Sequence, residues 1–140
     1  MELELTVRFL VMVIVTSIIT IMGLAIYGIF SRPSLIKKII ALTIFVDAAN
    51  TFAILIGYRL LPQYKLPIPP VLTRIPPTPT DIARFVEASV DPLPQALVIT
   101  AIVINLGITA FLIALVLQVY RVTGSTDVRR IVALRARREV

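Results

Sequence analysis

The chain has 140 residues, of which 58% are hydrophobic and 16% charged, with a formal net charge of +6. Soluble domains carry roughly 45–50% apolar and about 25% charged residues, and so small a chain has too much surface for its volume to bury the excess. It holds no cysteine, histidine or tryptophan, which excludes disulfides, Cys/His zinc sites, His- or Cys-ligated haem and His-based catalytic triads within it. Its hydrophobicity excludes disorder despite ten prolines. The basic residues flank apolar runs, the pattern of a membrane protein rather than of a nucleic-acid-binding one.

A membrane-crossing helix needs about 20 consecutive apolar residues. Residues 9–30, 39–57 and 96–118 meet that length, and Asp47 is the one formally charged residue among them. Lipid offers no partners to backbone groups, so helices are expected; the alternation of a membrane barrel is missing. The first run is preceded by Glu2 and Glu4 rather than a positive cluster, so it reads as a retained span and not a signal peptide. The expected fold is an all-α membrane protein: a three-helix domain over residues 1–123 and a basic cytoplasmic tail over 124–140.

Three spans divide the charges between two sides. Arg32, Lys37, Lys38, Arg121, Arg129, Arg130, Arg135, Arg137 and Arg138 fall on one, whereas Arg8, Arg59, Lys65, Arg74 and Arg84 fall on the other beside five acids. Positive residues favour the cytoplasmic face, so the N-terminus is expected outside and the C-terminus in the cytoplasm. Lys37, Lys38 and Arg121 then read as interface anchors that snorkel toward headgroups.

Nine of the ten prolines lie between Pro62 and Pro94, which rules out a span or a regular sheet over this outer loop, 62–95. Residues 65–79 read as extended, polyproline-like chain. A short helix is expected after Thr80 as cap, with Ile82, Phe85, Val86 and Val90 on one apolar face at the membrane surface. Asp91-Pro92 marks the start of the third span: Asp91 caps, and Pro92 and Pro94 fit a first turn whose N–H groups lack partners anyway. Gly124 is expected to end that span. Beyond it, Thr126 and Asp127 open a short basic interfacial helix that presents Val128, Ile131 and Val132. Two readings stand for this tail: an anchor on anionic lipid, or a docking surface for a soluble partner.

The chemistry inside the membrane centres on Asp47. A charge at that depth costs at least about 2.5–3.5 kcal/mol, so it must be protonated, paired or beside water. Thr43, Asn50 and Thr51 lie at i−4, i+3 and i+4 and share its face. Asn105 and Thr109 form a second polar step on the third span. On the first, Thr16, Thr20, Gly23 and Tyr27 make a small-residue face suited to close packing. Asp47 reads either as part of an ion or proton path or as a buried carboxyl that fixes subunit packing.

The string DPLPQALVITAIVI from Asp91, together with GLAIYGIF from Gly23 and KKIIALTIFVDAANTFAIL from Lys37, closely resembles the C subunit of Mrp-type multisubunit cation/proton antiporters. That family is related to the K subunit of respiratory complex I and to subunits of archaeal membrane-bound hydrogenases and sulfane sulfur reductases. The resemblance covers roughly residues 23–121, apart from much of the proline-rich loop. It implies a three-helix subunit of the plasma membrane beside larger antiporter-like subunits, with no activity of its own, no catalytic residue and neither metal nor cofactor. A soluble redox arm would be held through other subunits. In the complex I relative, helices two and three each carry a glutamate on the hydrophilic axis; those positions fall here at Thr43 and Asn105, which keep polarity but not a carboxyl. That departure sets this chain apart from the complex I relay, and Asp47, one turn from Thr43, is read as a partial substitute for the missing carboxyl. Its functional reading is a sodium/proton antiporter module, free or redox-driven, with Thr43, Asp47, Asn50, Thr51 and Asn105 as the polar set. A purely structural subunit and a self-assembling small transporter are the other readings.

Overall fold

A computed structural model describes residues 2–58, 69–72 and 74–138. The described chain forms five helices: α1 (Glu2–Ser31), α2 (Leu35–Gly57), α3 (Pro79–Ala88), α4 (Pro92–Thr123) and α5 (Val128–Arg138). Three of them, α1, α2 and α4, are long and apolar enough to cross a membrane. At about 1.5 Å per residue, α2 spans about 35 Å and α4 about 48 Å, against a hydrocarbon core of about 30 Å. The helices therefore begin earlier or end later than the apolar runs that mark them in the sequence.

The middle helix organises the fold. α2 packs against both α1 and α4, and these two contacts dominate the tertiary packing. On α1 the packing side is the row Val11, Val15, Ile18, Met22 and Ala25, spaced as one face of a helix. The helices approach so closely that a Cβ on Gly28 would stand 3.0 Å from the Ala41 Cβ. The small-residue face of α1 is not the one that packs on α2. Thr16, Thr20 and Tyr27 are exposed, and nothing in the chain lies within 4 Å of a Cβ placed on Gly23. The hydroxyl of Thr20 donates to the Thr16 carbonyl at 2.7 Å, so it is satisfied without a second helix.

Both ends of α2 are tied to α4 or its flanks. At one end the Asp91 N–H donates to the Gly57 carbonyl at 3.1 Å, and a Cβ on Gly57 would come within 2.9 Å of Pro94 Cγ. At the other end the α1–α2 turn pairs with the α4–α5 turn. Leu35 N–H donates to the Thr126 carbonyl at 2.9 Å and Val128 N–H to the Pro33 carbonyl at 3.0 Å, around an antiparallel bridge between Ser34 and Asp127. The two turns thus share one end of the molecule, as three consecutive spans require.

The caps explain where the elements stop. Asp91 is the N-cap of α4, its carboxylate accepting from Leu93 N–H at 2.9 Å. Gly124 ends α4 at φ 67°, a left-handed conformation that only glycine adopts cheaply. Helix α3 starts two residues earlier than expected: Thr78, not Thr80, is its N-cap, and Pro79 is helical rather than the last extended residue. The deciding partner is Asp81, three residues on from Thr78. The Asp81 N–H donates to the Thr78 hydroxyl oxygen at 3.3 Å, while the Thr78 N–H donates to the Asp81 carboxylate at 3.0 Å, a reciprocal box that Thr80 has no partner to build. The Thr78 hydroxyl also donates to Asp81 at 2.6 Å. These bonds, side chain first and backbone second, hold the Asp81 carboxyl below its ordinary value, with Arg84 adding a smaller pull. Of the expected apolar face, Val90 is buried just past the helix, Phe85 is half-buried, and Ile82 and Val86 are exposed. Of the extended stretch expected over 65–79, residues 65–68 and 73 lie outside the described residues.

On α5, Asp127 accepts from Arg129 N–H at 2.9 Å and so starts the helix. Val128 and Ile131 are half-buried, while Val132 is exposed.

Candidate functional site

Helix α2 is apolar over most of its length, so its polar residues stand out by position. Asp47 lies near the midpoint of its 23 residues. Thr43 and Thr51, one turn to either side, do not compete for its carboxylate. The Thr43 hydroxyl donates to the Ile39 carbonyl at 3.1 Å and that of Thr51 to the Asp47 carbonyl at 2.8 Å. Both hydroxyls turn back on their own helix, which leaves their oxygen lone pairs as acceptors.

The packing of α4 brings the second polar residue alongside. Val98, Ala101, Asn105, Thr109 and Leu112 form its half-buried or buried row, so Asn105 occupies the seam with α2. Its side-chain amide donates to Asp47 Oδ1 at 3.4 Å, a long contact that sets the pair side by side without a tight bond. Asn105 thus pairs with Asp47, while the Thr43 hydroxyl is committed to its own backbone.

Asp47 also has an open side. Lys37, Ile40, Ile44, Asp47 and Thr51 form the exposed row of α2, at helical spacing. The carboxylate therefore stands at the edge of the α2–α4 contact with one flank toward Asn105 and the other toward whatever covers the molecule. Asn50, half-buried on the same helix, has a side-chain Nδ2 that is buried without a hydrogen-bond partner in the described structure. An unpaired buried donor is costly, by roughly 1–3 kcal/mol, and Asn50 lies one turn from Asp47.

The interface lysines separate. Lys37 is exposed. Lys38 donates from Nζ to the Ile29 carbonyl at 2.7 Å, which is one of the orphan acceptors in the last turn of α1. There its charge also complements the negative end of the α1 dipole. Sequence reading missed this role because the partner lies on the preceding helix; the short turn from Ser31 to Leu35 was the available signal. Arg121 is exposed in the last turn of α4, a favourable place for a cation. Among the described residues no three acidic side chains gather as metal ligands.

The sequence profile of NADH-ubiquinone/plastoquinone oxidoreductase chain 4L matches residues 12–136. The chain is 34% identical over 119 residues to a protein of Staphylococcus saprophyticus subsp. saprophyticus named Na(+)/H(+) antiporter subunit C1, covering 85% of this chain and 88% of that one. It is 31% identical over 122 residues to the protein of that name from Staphylococcus aureus, covering 85% and 89%.

Proposed function

The chain belongs to the NADH-ubiquinone/plastoquinone oxidoreductase chain 4L family, and from that membership we propose that it is a non-catalytic, multi-pass plasma-membrane subunit of a sodium/proton antiporter assembly. It packs between larger antiporter-like subunits and presents Asp47 to an ion path. The names of its relatives support the assembly. The observation that carries the role of Asp47 is its contact with Asn105 at mid-membrane depth, with the opposite flank exposed. An intramembrane acid is expensive unless function or a partner requires it. Here one neutral amide touches the carboxylate, and the exposed flank leaves room for water, a cation or a neighbouring subunit.

Thr43, Asn50 and Thr51 complete the polar set as acceptors and a donor on one helix. The N-terminus lies outside and the basic tail in the cytoplasm, a reading supported by the charge bias and by the loop pairing that places α5 beside Arg32 and Lys37. The test compares sodium-dependent proton flux in assembled complexes that carry Asp47→Asn or Thr43→Ala. Loss of flux at normal subunit content supports the path, and unchanged flux for both overturns it.

The second reading is a structural carboxyl that binds a neighbouring subunit. The unpaired Asn50 donor favours it, since a partner helix would satisfy that group as well. It predicts that Asp47→Asn weakens assembly before flux. Copurification distinguishes a free antiporter from a redox-driven host, because iron–sulfur or nickel–iron subunits accompany only the latter.

A further inference from the structure

A cleft of about 360 Å³ opens between the end of α1, the first turns of α2 and the last third of α4. Leu35, Ile39, Leu42, Leu112 and Val116 give it apolar walls, and Lys38 lines it with its aliphatic stem. We propose that this cleft seats an acyl chain of an anionic glycerophospholipid, with the lipid phosphate on the Lys38 ammonium.

Three observations combine in this assignment. The walls are aliphatic and the cleft is open to one side, so a lipid tail can enter laterally from the bilayer. Lys38 uses one donor on the Ile29 carbonyl, and an ammonium has three, so it retains donors for a phosphate oxygen while held in place. It stands near the start of α2, at the end of a span long enough to cross a membrane. The surrounding charge is complementary: Arg32, Lys37, Arg121 and Arg129 are exposed at the same end of the molecule, gathered there by the bridge between Ser34 and Asp127. Basic pockets between membrane helices at such a boundary suit anionic headgroups. The assignment is independent of the ion-path reading, because neither Asp47 nor Asn105 lines the cleft.

The experiment uses the assembled complex in nanodiscs that contain phosphatidylglycerol or phosphatidylcholine, each with a diazirine on one acyl chain. After illumination, labelled peptides are mapped by mass spectrometry. Phosphatidylglycerol is expected to label α2 over residues 35–42 and α4 over 112–119 about fivefold more than phosphatidylcholine, the factor given by about one favourable basic contact. Lys38→Gln is expected to remove that preference and Lys38→Arg to keep it. Equal labelling by both lipids in the unsubstituted complex overturns the proposal, and that comparison requires no variant to assemble. A photoreactive leucine analogue at Leu115 that crosslinks to another subunit also overturns it, since protein then fills the cleft.

Discussion

The Asn105 amide stands 3.4 Å from the Asp47 carboxylate, joining two helices at positions 58 residues apart in the chain. The contact is long, so its contribution to stability is small, whereas the carboxyl itself is the costly group. Asp47→Asn is expected to abolish sodium-dependent proton flux while the complex keeps its subunit composition. Asn105→Ala is expected to cost about 1 kcal/mol or less in thermal stability of the complex and to reduce flux only in part. Flux assays in inverted vesicles, normalised to subunit content, check both.

Close helix approaches set a second expectation. Gly57 meets Pro94 and Gly28 meets Ala41 at distances where a Cβ forces movement. Gly57→Leu is expected to destabilise the α2–α4 contact by about 1–3 kcal/mol. Gly23→Ala meets nothing within the chain and is expected to leave the packing of α1 on α2 intact. Melting of the purified complex, followed by the loss of this subunit, measures the difference.

The contrast between these glycines shows which features were legible in the sequence. The three spans and the Asp91-Pro92 start are local in origin: uninterrupted apolar residues, a capping acid and a proline at the first helical position. The packing side of α1 is different in kind, because almost every residue there is apolar and no periodic contrast marks a face. Its small polar residues can face away from α2, since Thr20 and Ser17 satisfy their hydroxyls on the preceding turn. Thr78 and Thr80 compete for one cap, and the choice between them depends on the spacing to Asp81. Asp47 and Asn105 were both legible as mid-span polar residues, but their contact depends on which sides of α2 and α4 meet.

The cap of α3 carries a pH dependence. Hydrogen bonds from Thr78 depress the Asp81 carboxyl in the folded state, so its stabilising effect is complete above the ordinary carboxylate value near 3.8. It is lost as pH falls through the lower folded value. Hydrogen exchange in α3 is therefore expected to be independent of this group at neutral pH and to accelerate only in strong acid. Thr78→Ala is expected to accelerate exchange in α3 at neutral pH and to leave α4 unchanged.

Gly124 is the one glycine in the described structure with a positive φ. Gly124→Ala is expected to cost about 1–2 kcal/mol through left-handed strain and to loosen the turn that holds Thr126 against Leu35. Limited proteolysis in the α4–α5 turn reports this as faster cleavage.

Orientation is testable without background from this chain, because the sequence has no cysteine. Glu2→Cys is expected to react with an impermeant maleimide from outside intact cells, and Arg137→Cys only after the membrane is opened.

The two backbone ties of α2, at Gly57–Asp91 and at Leu35–Thr126, have a mechanical consequence. A slip of one residue along the helix axis would displace α2 by about 1.5 Å and break both ties at once. Axial sliding is thus blocked relative to α4, and Asp47 and Asn105 keep a common height. Under the proposed function, the freedom left to this pair is rotation about side-chain bonds, and the subunit serves as a fixed frame for its neighbours rather than as a piston between them.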